Sequence, residues 1–255
     1  MILDLFSLQG RRALVTGASR GLGRAMAVAL AEAGADVALA SSTSPARETA
    51  AAVEAAGARA VTLECDLSSA SVGDLGRLVA DAAGALGGLD ILVNNAGIIR
   101  RTPALDFSET DWDDVVQVNQ KAVFFLGQAA ARLMREQGRG KIITTASLLS
   151  FQGGINVASY TAAKSAVAGL TRAMANEWAP LGVNVNAIVP GYFATDNTEQ
   201  LRADEDRYQS ILGRIPAGRW GEPDDLAGAT VFLASAASDY VHGTLLPVDG
   251  GWLAR

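Results

Sequence analysis

Tyr160 and Lys164 stand four residues apart in the run Tyr160-Thr161-Ala162-Ala163-Lys164, which follows Ser147 by thirteen residues. On a helix this spacing puts two side chains on one face, so an ammonium can sit beside a phenol. A phenol with a reference pKa near ~10 is a poor base at neutral pH. A neighbouring fixed positive charge favours the phenolate and lowers that pKa. Such a tyrosine can exchange a proton with a hydroxyl or carbonyl of a bound molecule. Four tyrosines and three lysines in 255 residues give about 0.05 Tyr-x-x-x-Lys pairs by chance. A solvated helix stripe would leave the same mark, so the pair gains weight from its company. Asn119 and Ser147 precede it, and the chain opens with Thr16-Gly17-Ala18-Ser19-Arg20-Gly21-Leu22-Gly23.

That glycine run lies between a short apolar stretch and an Ala-rich helical pattern, the setting of a phosphate-binding turn. Glycines let the backbone approach a pyrophosphate, and a helix N-terminus offers free N–H groups and positive potential. Gly17, Ser19, Arg20, Gly21, Leu22 and Gly23 are the candidate cradle, although the spacing is not the G-x-G-x-x-G fingerprint. Asp66 and Leu67 follow the third apolar run, where Asp66 could accept from an adenine amino group or cap a helix. Asn94-Asn95-Ala96-Gly97 follows the fourth, and Asn94, Ala96 and Gly97 are placed near a ribose. The second run ends in Ser41-Ser42, without the carboxylate that usually binds a ribose 2′-hydroxyl. Arg20 could instead face a 2′-phosphate, so the cofactor is expected to be NAD(H) or NADP(H).

These residues need elements to position them. Apolar runs at 13–15, 37–40, 60–63, 91–93, 142–144, 183–188 and 244–248 read as about seven buried parallel strands. Helical patterns at 22–33, 46–56, 69–86, 109–137, 157–178 and 222–235 alternate with them. The expectation is an α/β fold: a single Rossmann-type domain over 1–255, its doubly wound parallel sheet covered by helices on both faces. The polar stretch 190–223, with a helix near 198–211, departs from this rhythm and reads as a substrate loop or lid.

Composition narrows the rest. A net charge of −6 without a basic run argues against nucleic acid. One cysteine excludes an internal disulfide, and Cys65 reads as a buried, inert thiol in a strand. One histidine and no Cys/His cluster give no metal site. The first residues lack a signal-peptide pattern and no window reaches membrane-spanning length, so a cytoplasmic protein with no membrane partner is expected.

The elements Thr16-Gly-x-x-x-Gly21-x-Gly23, Asn94-Asn-Ala-Gly97, Asn119, Ser147, Tyr160-x-x-x-Lys164 and Pro190-Gly191 together resemble the short-chain dehydrogenase/reductase family. The resemblance spans essentially the whole chain. It implies that Tyr160 is the general acid/base and that Ser147 holds the substrate oxygen. Lys164 would lower the pKa of Tyr160 and bind the nicotinamide ribose. Asn119 would distort its helix and hold a relay water, and Pro190-Gly191 would lie under the nicotinamide. A homotetramer is also implied, with the helices at 109–137 and 157–178 paired between subunits. Small residues along 157–178 permit that contact, and Gly251-Trp252-Leu253 looks under-buried for a free chain end.

Less common segments, among them Leu149–Gly154 and Arg214–Gly221, resemble a branch acting on deoxy-sugar acids in uronate breakdown, generally NAD-linked. A small sugar acid needs a cation for its carboxylate. Arg100 and Arg101, directly after the Asn94–Gly97 element, are candidates through the bidentate guanidinium fork. A surface or intersubunit pairing would explain them equally well. Gln152, Asn156, Thr195 and Asn197 are candidate hydroxyl partners, while Phe151 and Trp220 are expected to pack. A 3-oxoacyl thioester reductase, which Ser41–Ser44 also suit, and a non-catalytic nucleotide sensor remain as alternatives.

Overall fold

The computed structural model describes residues 1–42 and 46–255; Thr43, Ser44 and Pro45 lie outside the described residues. Seven strands form one sheet: β1 (Arg12–Thr16), β2 (Asp36–Ser41), β3 (Ala60–Glu64), β4 (Ile91–Asn94), β5 (Gly140–Thr145), β6 (Val183–Pro190) and β7 (Leu245–Val248). Their order is β3-β2-β1-β4-β5-β6-β7, and every pairing is parallel. The expected sheet is therefore present: β1 to β6 run a residue or two beyond their expected ends, and β7 begins one residue later, at Leu245. Pro247 is tolerated because β7 is an edge strand, where a missing N–H breaks no ladder.

Strand alternation sends side chains into two cores. Leu14 of β1 joins the core beneath α3 (Val72–Leu86) and α5 (Ala122–Gln137), while its neighbours Ala13 and Val15 join the core beneath α1 (Gly21–Glu32). α2 (Arg47–Ala55) and α9 (Ala227–Ala234) cover that second face, and α6 (Ala158–Trp178) packs along β6. Leu14, Met26, Leu30, Leu39 and Leu126 are almost wholly removed from water. Each such side chain contributes roughly 1.5–3 kcal/mol of burial.

Four element boundaries differ from expectation, one of them at α9, which begins at Ala227 after a 3-10 turn over Pro223–Leu226 rather than near 222. α3 begins at Val72 rather than near 69, because Ser71 is its cap: the hydroxyl accepts from Asp74 N–H at 3.2 Å and Asp74 accepts from Ser71 N–H at 2.8 Å. The expected helix 109–137 is divided into α4 (Glu109–Val116), a π-helical turn Gln117–Lys121, and α5. The polar helix expected near 198–211 is two, α7 (Glu199–Ala203) and α8 (Glu205–Leu212), because Asp204 leaves helical geometry to cap α8 through Arg207 N–H.

At the amino ends of the strands, Asp90 is 4% exposed and holds Arg12 at 2.7 Å and Arg139 at 3.2 Å, tying the starts of β1, β4 and β5 together. Burial alone would raise this carboxyl. The hydrogen bonds and charges of Arg12 and Arg139 outweigh it and keep the group below the ordinary carboxylate range.

The apolar chain end does not stay open. Trp252 is 3% exposed, its ring 4.7 Å from Tyr192 and beneath the Arg214 guanidinium at 4.1 Å. The reading of an under-buried end is corrected: this chain's own aromatic cluster covers it. No helix among the described residues is long and apolar enough to cross a membrane.

Candidate active site

Strand order reverses between β1 and β4, and in such sheets a crevice opens beyond the carboxyl ends of the strands at the reversal. A cavity of about 420 Å³ lies there. The glycine turn forms one wall. Gly17 (φ 63°) and Gly21 (φ 54°) occupy the left-handed region that side chains resist. Gly23 answers a different need: a Cβ there would lie 2.2 Å from the Gly17 carbonyl oxygen. Asn95 clamps the turn, donating to the carbonyls of Thr16 at 3.1 Å and Gly17 at 3.3 Å. Thr49 donates to Ala18 from the far side at 2.8 Å.

No side chain caps the start of α1, and Gly21, Leu22 and Gly23 line the cleft. The N–H groups of this first turn, flanked by Gly21 and Gly23 and without a side-chain cap among the described residues, fit an anionic diphosphate. Ser19, Arg20, Ser41, Asp66, Leu67, Ala96 and Gly97 line the same cleft, as expected for a dinucleotide-length groove. Asp66 does not cap α3. It closes a turn of its own, accepting from Ser68 N–H at 3.0 Å and Ser68 Oγ at 2.8 Å, and these bonds lower its pKa. Arg20 is exposed and pairs with Asp196 at 3.2 Å.

Three cofactor candidates, Asn94, Pro190 and Gly191, fall outside the lining. Asn94 points into the core, where its amide donates to the Val123 carbonyl at 3.3 Å, and its neighbour Asn95 takes the wall. The period of two along a strand decides which asparagine faces inward. Pro190 ends β6 in full burial, and Gly191 is pressed against Asp249, whose Cα would lie 2.7 Å from an added Cβ. Cys65 sits one residue past β3, half-buried and on the cleft wall rather than sealed in a strand. Burial and the charges of Asp74 and Asp66 push its thiol up, away from the reactive thiolate.

α6 carries Tyr160 and Lys164 into the inner end of the cleft. The Lys164 ammonium lies 5.6 Å from the Tyr160 ring centre and donates to the Thr145 carbonyl, at the end of β5, at 2.6 Å. Burial lowers Lys164 to about 8, so it stays mostly protonated at pH 7. Tyr160 departs from expectation: burial raises its pKa, against opposing pulls from the Ser147 hydroxyl within hydrogen-bonding reach and from the Arg101 charge. The lowering expected from Lys164 is not the net result in the protein alone. Ser147 caps the turn after β5, its Oγ accepting from Leu149 N–H at 3.2 Å. Asn119 is wholly buried in the π turn and grips the Ile98 backbone both ways, accepting from N–H at 2.8 Å and donating to the carbonyl at 2.7 Å.

The arginine pair divides. Arg100 lines the cleft but is held by Asp111 at 3.3 Å and Asp114 at 3.1 Å. Arg101 lies outside the cleft lining, donates to the Asn197 carbonyl at 3.1 Å, and its charge reaches Tyr160. Thr195 and Asn197 line the cleft. Gln152 does not, its carbonyl oxygen accepting from the Trp252 indole at 3.2 Å. Asn156 is explained by backbone: φ is 62°, a conformation asparagine tolerates, and its carbonyl accepts from Thr102 N–H. Trp220 packs, stacked on Tyr208, whereas Phe151 is 49% exposed and does not. Sequence reading passed over Thr145 and Asp196. The first was signalled by its place at a strand's carboxyl end, the second by adjacency to Thr195.

Comparison with known proteins places this geometry. Residues 17–253 match the family model described as enoyl-(acyl carrier protein) reductase. A protein of Dickeya dadantii named 2-dehydro-3-deoxy-D-gluconate 5-dehydrogenase is 59% identical over the full length of both chains. The chain belongs to the short-chain dehydrogenase/reductase family. Among solved members, an Agrobacterium tumefaciens protein provisionally named a 2-deoxy-D-gluconate 3-dehydrogenase, with bound NADP, is 56% identical at TM-score 0.90, over 99% of this chain and 100% of that one. A gluconate 5-dehydrogenase from Burkholderia cenocepacia J2315, in complex with NADP and tartrate, is 40% identical at TM-score 0.94 over all of both chains.

Proposed function

We propose that this chain is a nicotinamide-dependent oxidoreductase interconverting a ketone and a secondary alcohol on a deoxy-sugar acid such as 2-dehydro-3-deoxy-D-gluconate. One observation carries the reading: Tyr160 and Lys164 line the same cleft as the glycine turn, and Ser147, outside that lining, sets its hydroxyl within hydrogen-bonding reach of Tyr160. The nicotinamide, when bound, gives or takes the hydride. The chain's residues do the rest. Ser147 holds the substrate oxygen, and Tyr160 moves a proton at that same oxygen. Lys164 supplies a nearby positive charge that favours the phenolate, and its ammonium would also reach a ribose hydroxyl. Asn119 shapes the wide turn that would seat a relay water.

Arg101, which among the described residues donates to one backbone carbonyl and pairs with no carboxylate, is the carboxylate ligand in this reading; Arg100 is committed to two aspartates. The segment 190–223 acts as a lid within one catalytic domain. The names of the sugar-acid relatives, and the hydroxy acid tartrate beside NADP in one of them, support the substrate class. A cytoplasmic setting agrees with dependence on the cell's nicotinamide pool, and a homotetramer with the exposed Ala162, Gly169 and Ala173 on α6.

The acyl reading loses ground at the base of the lid. Tyr192, Tyr208, Trp220 and Trp252 pack against one another there, which disfavours an acyl channel through that cluster. Turnover assays with 2-dehydro-3-deoxy-D-gluconate, gluconate and an acetoacetyl thioester, each with NAD(H) and NADP(H), test the function. Turnover of the sugar acids with both cofactors is expected. Turnover confined to the thioester would overturn the substrate class, and cofactor binding with no turnover would favour the sensor.

A further inference from the structure

Arg20 stands between the two left-handed glycines, at the cap of α1, with extended backbone (φ −161°, ψ 177°). Its side chain is 79% exposed, and the carboxylate that meets it belongs to Asp196 at 3.2 Å. Asp196 opens the helical turn Asp196–Thr198 at the start of the lid segment. The lid touches the glycine turn here as well: the Thr195 methyl would lie 3.8 Å from a Cβ on Gly21. On its other side the same stretch is held by Arg101, through the Asn197 carbonyl. Two arginines thus grip the lid's first turn, one from each wall of the cleft.

Three cations line the cleft among the described residues: Arg20, Arg100 and Lys164. Arg100 is engaged by Asp111 and Asp114, and Lys164 lies deep against Thr145. Arg20 is therefore the guanidinium at hand for an anion near the serines that end β2. Two anions want it. One is Asp196, a single negative charge on the lid; the other is a ribose 2′-phosphate, which carries nearly two and presents three acceptor oxygens.

We propose that Asp196 is a specificity-determining residue: its carboxylate and the 2′-phosphate of a dinucleotide compete for Arg20, coupling cofactor choice to the lid. The inference rests on the dinucleotide reading of the cleft. A cofactor without the phosphate leaves the Arg20–Asp196 pair intact. A cofactor with it must displace Asp196, giving up one ion pair to form another. The exchange narrows the preference that Arg20 alone would impose, and it frees the lid's first turn when the phosphate is present.

Adenosine 2′,5′-bisphosphate and adenosine 5′-monophosphate differ only in the 2′-phosphate, so the ratio of their dissociation constants isolates the contact. Calorimetry on wild type and Asp196→Asn should show the bisphosphate tightening by about twofold to fivefold, the range an exposed ion pair allows. The monophosphate should change little. In Arg20→Gln/Asp196→Asn the gain should vanish, because the guanidinium both anions seek is gone. An unchanged ratio in Asp196→Asn, an equal gain on both nucleotides, or a gain that survives loss of Arg20 would overturn the inference. Parallel titrations of wild type with NAD(H) and NADP(H) separate the two claims. Binding of neither would sink the cofactor reading itself, and binding of both with an unmoved ratio would sink only the role of Asp196.

Discussion

Tyr160 and Lys164 make opposite demands of one environment. Burial raises the phenol and lowers the ammonium, which shifts both toward their neutral forms, yet Lys164 at about 8 stays mostly protonated at pH 7. Tyr160→Phe should cut turnover by roughly 10²–10⁴-fold, the usual worth of acid–base catalysis. Titration of cofactor fluorescence should show nearly unchanged affinity. A mutant keeping more than about a tenth of the wild-type rate would refute the assignment. Lys164 also makes a stability claim. Its folded-state pKa of about 8 lies below the ordinary 10.5, so between those values the unfolded chain binds more protons and stability rises with pH. Denaturant melts at a series of pH values should show wild type gaining on Lys164→Met across that window. For the substrate, Arg101→Ala should raise KM for the sugar acid while an uncharged analogue barely responds. Arg100→Ala should impair both alike, since it ties the cleft wall to α4.

At the scale of elements, the π turn is the main surprise. Asn119 fills both backbone bonds of Ile98, which holds the strand-end loop beside the cleft. Asn119→Ala leaves two polar groups unmade at about 1–3 kcal/mol each, and the thermal midpoint should fall by roughly 2–4 °C per kcal/mol. Calorimetric melting checks this. The strands and most helices were legible because buried parallel strands are continuously apolar and their helices repeat near 3.6 residues. The extra residue of a π turn shifts the phase of the apolar repeat once and leaves it regular on either side, so a five-residue window such as Gln117–Lys121 reads as continuous helix. The family resemblance alone flagged it, through Asn119. Asn94 and Asn95 were confused because the pattern names both and only the pleat chooses between them. Gln152 and Asn156 look like free polar groups in sequence, but the Gln152 side chain accepts from Trp252 and Asn156 serves a left-handed backbone position whose carbonyl accepts from Thr102 N–H.

For the whole molecule, the burial of Trp252 removes one argument for assembly and leaves another. Ala162, Gly169 and Ala173 present an exposed face of α6 without long side chains, and Phe124 and Phe125 of α5 stay partly open. Small residues of this kind let helices approach closely. A tetrameric mass is expected from light scattering at micromolar protein, and a monomeric one would refute the assembly. Catalysis does not require it, since every residue of the proposed proton path comes from one chain.

The reversal of strand order between β1 and β4 has a kinetic side. The glycine turn belongs to the first half of the chain, whereas Tyr160, Lys164 and Ser147 belong to the second. Ala13 pairs with Ile91 only after the chain has closed a loop of more than seventy residues, and such non-local pairing is slow. Asp90, bridging the starts of β1, β4 and β5, is the clasp across that seam. The groove is therefore the last thing refolding can build. Signal from a fluorescent dinucleotide should appear with the slowest refolding phase, after helical signal has recovered.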